Sequence, residues 1–106
     1  MKKEIERKFL VKGDLFKKFS IEKKHILQGY LNKDPNRTVR VRLINDNGSL
    51  TIKGRSNKKG TSRLEWEKFI PKSEAKSLLE LAMDIPIEKI RYIIPHGTMT
   101  IEVDEF

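Results

Sequence analysis

Polar and apolar residues alternate along most of the chain with the two-residue period of β-strands. Over residues 3–11, Glu4, Glu6 and Lys8 fall on one side, and the mainly apolar residues between them fall on the other. The same alternation predicts further strands over residues 25–31, 38–44, 49–54, 63–70, 87–94 and 98–104.

Turn and helix signals separate these strands. Asp46-Asn47-Gly48 predicts a tight hairpin, because Asn and Gly accept a positive φ at low cost. Asp14 is expected to cap a short helix over residues 15–19, and Ser73 an amphipathic helix that runs to about Met83. The order of the elements predicts an α+β fold that consists mainly of antiparallel strands.

Composition narrows the possible functions. The chain has 106 residues, which predicts a single domain over residues 1–106, and its net charge of +8 favours anionic partners. It has no cysteine, which excludes disulfides, thiolate metal sites and a cysteine nucleophile. Since no signal peptide and no apolar run of about 18 residues is found, we expect a cytoplasmic protein without a membrane partner.

Charges of one sign recur at positions i and i+2 of the predicted strands. Such neighbours lie only about 7 Å apart on one face, so each pair repels itself. Solvated faces usually mix the two signs, and the repeated sorting therefore predicts ligands of opposite charge. The acidic pairs are Glu4/Glu6, Glu65/Glu67 and Glu102/Asp104, and the basic pairs are Arg40/Arg42 and Lys89/Arg91.

Two kinds of ligand match these pairs. Carboxylates from several strands provide the oxygen ligands that Mg²⁺ or Mn²⁺ prefers. Arginine and lysine side chains suit a chain of phosphates. For these groups to converge, the sheet has to curl into a barrel with its polar face inside and its apolar face covered in part by the helices. A charged interior of this kind requires bound ions.

Six segments along the whole chain resemble the CYTH family, also called the triphosphate tunnel metalloenzymes. Glu4-Ile5-Glu6-Arg7-Lys8 resembles the Glu-x-Glu-x-Lys signature of that family. The other five segments follow in the family's order: Arg40-Val41-Arg42, Thr51-Ile52-Lys53, Glu65-Trp66-Glu67, Lys89-Ile90-Arg91 and Glu102-Val103-Asp104. The resemblance implies a CYTH-type tunnel β-barrel with a charged interior and flanking helices.

The resemblance also implies roles for the charged residues. No protein nucleophile is expected, and a water activated by Mg²⁺ or Mn²⁺, as two ions, would attack the triphosphate. The metal side would consist of Glu4, Glu6, Glu65, Glu67, Glu102 and Asp104. The triphosphate would be bound by Lys8, Arg40, Arg42, Lys53, Lys89 and Arg91.

The chain departs from the family pattern at its C-terminal end. Family members continue past the segment that corresponds to Glu102-Val103-Asp104 with further strands, whereas this chain ends at Phe106. We therefore expect a barrel without its last strands. Either the given sequence is part of a longer one, or a second copy completes the barrel in a homodimer, because an open sheet edge invites pairing.

Three functions remain open from the sequence. The first is hydrolysis of tripolyphosphate, or of a nucleoside or thiamine triphosphate. The second is the formation of cyclic AMP from ATP, as in the class IV adenylate cyclases of the same family. The third is binding of polyphosphate or nucleic acid without turnover, although nucleic acid is disfavoured because the aromatic residues lie mostly on the apolar faces.

Overall fold

Antiparallel strands make up most of the molecule. The structure, a computed structural model, describes the backbone of residues 2–106 and the side chains of that range except those of residues 2, 4 and 5. In chain order the elements are β1 (Lys2–Ile5), α1 (Phe16–Phe19), β2 (Glu22–Tyr30), β3 (Thr38–Ile44), β4 (Asn47–Lys53), β5 (Ser62–Ile70), α2 (Lys72–Leu79), β6 (Ile87–His96) and β7 (Met99–Glu105). Within residues 2–106 the strands form one seven-stranded sheet in the order β1-β5-β4-β3-β2-β6-β7.

The strand predicted over residues 3–11 is wrong in its second half. β1 ends at Ile5, which pairs with Ser62, the first residue of β5. One further backbone hydrogen bond joins Glu6 N to Thr61 O at 3.0 Å. β1 stops here because its partner strand begins here, and alternation within the N-terminal sequence could not reveal where that partner begins.

The predicted hairpin is confirmed, but its turn lies earlier than predicted. Ile44 pairs with Asn47, so the two turn residues are Asn45 and Asp46, and Asn45 has a φ of 54°. Gly48 lies within β4 instead. A Cβ atom on Gly48 would lie 2.7 Å from the Ile70 carbonyl oxygen and 2.9 Å from the Ala75 Cβ. This glycine therefore allows α2 to approach the sheet closely.

The N-cap predicted at Ser73 is also wrong. α2 begins at Lys72, directly after Pro71, whose extended ψ of 149° ends the preceding strand. Ser73 consequently falls in the first turn, where its carbonyl oxygen accepts a hydrogen bond from Ser77 Oγ at 3.1 Å. α2 ends at Leu79, earlier than the predicted end near Met83.

The sheet has one face covered by helices, called the helix face below. The core of this face joins Val41 and Leu43 of β3 to Ala75 and Leu79 of α2. At the other end of the sheet, α1 packs on β6 through an edge-to-face contact between Phe16 and Tyr92, with ring centroids 5.2 Å apart. Both helices therefore cover the apolar face, as the sequence predicted.

The opposite face, called the polar face below, collects most of the charged side chains of the strands. Cross-strand partners lie on the same face, and the register pairs Arg40 with Thr51 and Thr51 with Glu67. At the other end of the sheet it pairs Arg91 with Asp104. The acidic and basic pairs predicted on β3, β5, β6 and β7 thus share one face.

The sheet is curled, so the polar face is concave. Both helices lie on the opposite face, yet the long side chains of Arg40, Lys53 and Lys89 on the polar face are buried. A flat, uncovered face would leave such side chains in water, so the strands must curve around them. The mainly antiparallel fold with a curled, charged face is therefore confirmed.

Neither helix in the described part of the chain is long and apolar enough to cross a membrane.

Candidate active site

Buried cations form the centre of the polar face. Arg40, Lys53 and Lys89 are only 8%, 9% and 7% exposed. They come from β3, β4 and β6, and the alternation of each strand turns them to the same side. Burying a cation removes it from water and is unfavourable unless an anion or several hydrogen bonds replace the water. This part of the sheet is therefore suited to an anionic ligand.

Arg42 is held in place by a residue that the sequence did not indicate. Its Nε donates a hydrogen bond of 2.8 Å to Oε1 of Gln28, which is 5% exposed and lies opposite it on β2. Burial, followed by repulsion from Arg40 and Arg91, lowers the pKa of Arg42 to about 10. The pKa is therefore lowered mainly because the guanidinium group is buried, and secondarily because two other cations share its face.

Asp104 and two cations form a compact cluster at the other end of the polar face. Lys89 Nζ donates to Asp104 Oδ2 at 2.7 Å, and Arg91 Nε donates to Oδ1 at 2.8 Å. Burial opposes ionisation of Asp104, but these hydrogen bonds outweigh it and lower its pKa to about 2. Burial lowers the pKa of Lys89 despite its bond to Asp104. Glu102 contributes a further ion pair, with its Oε2 3.2 Å from Arg91 Nη1.

The acidic pair of β5 lies next to Lys53, the buried cation of β4. Glu65 Oε2 is 3.9 Å from Lys53 Nζ, and the two side chains are 15% and 11% exposed. Thr51, which is 1% exposed, donates its hydroxyl to Glu67 Oε2 at 3.1 Å. The carboxylates of β5 therefore border the basic centre on the side opposite to Asp104.

The N-terminal motif is placed differently from the other segments. Glu6 and Lys8 form an exposed ion pair of 3.7 Å, with the Lys8 side chain 86% exposed. Both follow β1 and border an open groove of about 560 Å³ between this segment and the β4–β5 loop. Lys8 therefore does not join the buried cations in this structure. The Glu4 side chain lies outside the described residues, so its predicted role stays a prediction.

The predicted metal ligands have suitable chemistry but are not gathered into a cluster. Among the side chains that the structure describes, no three histidine or acidic groups lie close enough together to hold a metal ion. Glu65, Glu102 and Asp104 each face a cation instead. They offer only oxygen donors, the set that Mg²⁺ and Mn²⁺ prefer. The residues therefore fit such an ion by donor type.

Comparison with protein families identifies the fold. The family model described as "CYTH domain" matches residues 2–106. The chain belongs to the CYTH domain family. Triphosphatases of the CYTH family are in general metal-dependent, which agrees with the oxygen-rich carboxylates along the polar face.

A curated CYTH relative comes from Acetivibrio thermocellus. It carries the name "Inorganic triphosphatase" and is 49% identical over 109 residues, an alignment that covers 100% of this chain and 67% of the relative. No solved structure matches the chain.

Two uncharged residues of the CYTH polar face were not predicted, Gln28 and Ser49, which are 5% and 3% exposed. Thr51, which is 1% exposed, was named only as part of the segment Thr51-Ile52-Lys53. They are uncharged, and a single neutral polar residue in a strand is usually solvated. Their place on the polar face could have been inferred only from their positions relative to charged residues. Ser49 and Thr51 precede Lys53 at intervals of two, so they share its face, and Gln28 shares the Arg42 face only through the strand register.

Proposed function

We propose that this chain hydrolyses inorganic tripolyphosphate with the aid of Mg²⁺ or Mn²⁺. The single observation that carries the proposal is the burial of Arg40, Lys53 and Lys89 on one concave face. Three buried cations on one face suit a ligand with several negative charges spread over its length, and tripolyphosphate is such a ligand. The name of the Acetivibrio thermocellus relative supports the same substrate.

The basic residues would bind and orient the phosphates. Guanidinium groups match phosphate oxygens with two parallel hydrogen bonds, and ammonium groups add compact positive charge. Gln28 fixes the Arg42 guanidinium by accepting from its Nε. Because Gln28 is buried, Arg42 is already oriented before a ligand arrives, which reduces the entropy lost on binding.

The carboxylates would hold the divalent ions, two of them by family resemblance. We assign this role to Glu65, Glu67, Glu102 and Asp104, and extend it to Glu4 and Glu6 by their motif. Such an ion neutralises charge on phosphate oxygens and acidifies a water. Asp104 would first have to exchange its present partners, Lys89 and Arg91, for the ion, while the phosphates take over these two cations.

Phosphate release from tripolyphosphate tests the proposal. The wild type should release phosphate with Mg²⁺ or Mn²⁺ and lose this activity in EDTA. Glu67→Gln removes the negative charge of the carboxylate that accepts the Thr51 hydrogen bond. It should lower kcat by about a hundred-fold or more. Glu80→Gln is the matched control, because Glu80 lies at the exposed end of α2.

Full phosphate release in EDTA would contradict the proposal, as would equal activity of Glu67→Gln and Glu80→Gln. ATP serves as a second substrate, since cyclic AMP and pyrophosphate as products would indicate a cyclase instead. Binding of tripolyphosphate without any cleavage would leave only a binding module.

A further inference from the structure

Among the side chains that the structure describes, two buried polar atoms on the polar face have no hydrogen-bond partner. They are Arg40 Nε and Ser49 Oγ, and the two residues are 8% and 3% exposed. A buried donor without a partner is unfavourable and uncommon in folded proteins. Both atoms belong to the same small region of the sheet, so a common explanation is more economical than two separate ones.

The strand register brings the two residues together. Arg40 lies opposite Thr51, and Ser49 lies opposite Arg42, so Arg40 and Ser49 are diagonal neighbours on paired strands. Their side chains are on one face, where such neighbours lie about 7 to 8 Å apart between Cα atoms. A single small ligand can therefore reach both.

The surrounding polar groups are already engaged with each other. Thr51 donates to Glu67 at 3.1 Å, and Arg42 Nε donates to Gln28 at 2.8 Å. Arg40 Nε carries a hydrogen and can only donate, while the Ser49 hydroxyl can donate or accept. The missing partner of Arg40 is therefore an acceptor, and the guanidinium group of Arg42, opposite Ser49 on the same face, favours one with negative charge.

We propose that Ser49 is a phosphate-binding residue and that its hydroxyl, together with Arg40 Nε, binds the oxygens of one phosphoryl group of the ligand. This subsite rests on the proposed triphosphate-binding function and adds a neutral hydroxyl donor to it. Ser49 is buried, so its hydroxyl does not serve as a water-exposed polar group of the surface. Its hydroxyl is a buried polar group without a protein partner, and a bound phosphate oxygen would complete its hydrogen bonding.

The proposal predicts that loss of the Ser49 hydroxyl weakens ligand binding without lowering the stability of the protein. Ser49→Ala deletes a group that makes no hydrogen bond in the ligand-free protein, so thermal stability in EDTA should be unchanged or higher. The same change should weaken binding of sodium tripolyphosphate by about ten-fold, the usual effect of losing one hydrogen bond to a charged group. Ser77→Ala is the matched control, since Ser77 lies on α2, away from the polar face, and its hydroxyl donates to the Ser73 carbonyl.

The experiment measures binding of sodium tripolyphosphate by calorimetry in EDTA, with melting temperature and hydrolysis in Mg²⁺ measured in parallel. The expected result is about ten-fold weaker binding by Ser49→Ala, a raised KM, an unchanged or higher melting temperature, and no change in Ser77→Ala. Ser49→Thr, which keeps a hydroxyl, should recover part of the affinity.

The outcomes distinguish this subsite from the proposed reaction. If the wild type binds tripolyphosphate without cleaving it, and Ser49→Ala binds it more weakly, the subsite stands and the hydrolase assignment fails. If the wild type cleaves tripolyphosphate and Ser49→Ala does so with the same KM and affinity, the subsite is wrong and the hydrolase assignment stands. A lower melting temperature of Ser49→Ala with unchanged affinity would also overturn the subsite, because it would show a structural hydroxyl.

Discussion

Arg91 and Asp104 form a two-point ion pair across β6 and β7, with Nε–Oδ1 and Nη2–Oδ2 distances of 2.8 and 2.9 Å. Such paired contacts fix the orientation of both groups as well as their distance. Lys89 adds a third hydrogen bond to the same carboxylate, at 2.7 Å. An internal anion therefore balances two of the cations that are proposed to bind phosphate.

This relationship predicts that Asp104→Asn destabilises the ligand-free protein. The change leaves Lys89 and Arg91 without their shared carboxylate and should lower the free energy of unfolding by about 2 kcal/mol. Urea unfolding in EDTA measures it. Glu105→Gln is the matched control, because Glu105 forms an exposed ion pair with Lys17 on the helix face, and loss of such a pair costs less than about 1 kcal/mol. Equal effects of the two changes would contradict the prediction.

The lowered pKa of Asp104 predicts a specific dependence of stability on pH. Its pKa falls from 3.8 to about 2 on folding, so the unfolded chain binds this proton more tightly than the folded protein does. The stability that Asp104 contributes is therefore complete above pH 3.8 and is lost as the pH falls through about 2. Comparing wild type with Asp104→Asn by urea unfolding in EDTA should show a difference that shrinks over this range. A constant difference would refute the assignment.

Gln28→Met should weaken substrate binding without unfolding the protein. The substitution keeps the size of the side chain but removes the acceptor of the Arg42 Nε hydrogen bond. A freely rotating guanidinium loses its preorganisation, and KM for tripolyphosphate should rise by about three- to ten-fold while kcat changes less. His25→Ala, on the same strand but exposed on the helix face, should leave KM unchanged. A KM that is the same in all three proteins would show that Gln28 does not position Arg42.

Gly48→Ala tests the close approach of α2 to the sheet. The added Cβ would lie 2.7 Å from the Ile70 carbonyl oxygen, so the helix or the strand has to move. We expect a loss of about 1 to 3 kcal/mol in the free energy of unfolding. In the control Gly54→Ala, the nearest atoms are 3.9 Å from the added Cβ, and the change should stay within about 1 kcal/mol. Similar stability of the two variants would argue against this role of Gly48.

The sequence was sufficient to predict the strands and the face on which their charges lie. Alternation through Arg40, Arg42 and Lys53 assigns them to one side of β3 and β4, and the hairpin between these strands aligns them. Local patterns are informative here because successive side chains of a strand point to opposite faces, so the sequence position of a residue decides its face. The homodimer, the cytoplasmic location and the metal roles stay predictions.

Features that depend on a distant partner could not be predicted. The end of β1 depends on where β5 begins, so Lys8 was expected on the polar face but lies in an exposed segment. Gly48 matched a turn signal, although its position is explained by the Ala75 methyl above it. The unpartnered hydroxyl of Ser49 depends on the whole curl of the sheet, and no local pattern predicts it.

The neighbours Gly48 and Ser49 also limit how the length of this region can change. Gly48 faces α2 with no room for a side chain, and Ser49 faces the buried cations. Deletion of one residue at the N-terminal end of β4 would exchange these two faces, because a shift by one residue turns every side chain of a strand to the other side. Insertions and deletions should therefore be tolerated in the exposed loop over residues 55–60 and rejected within β4.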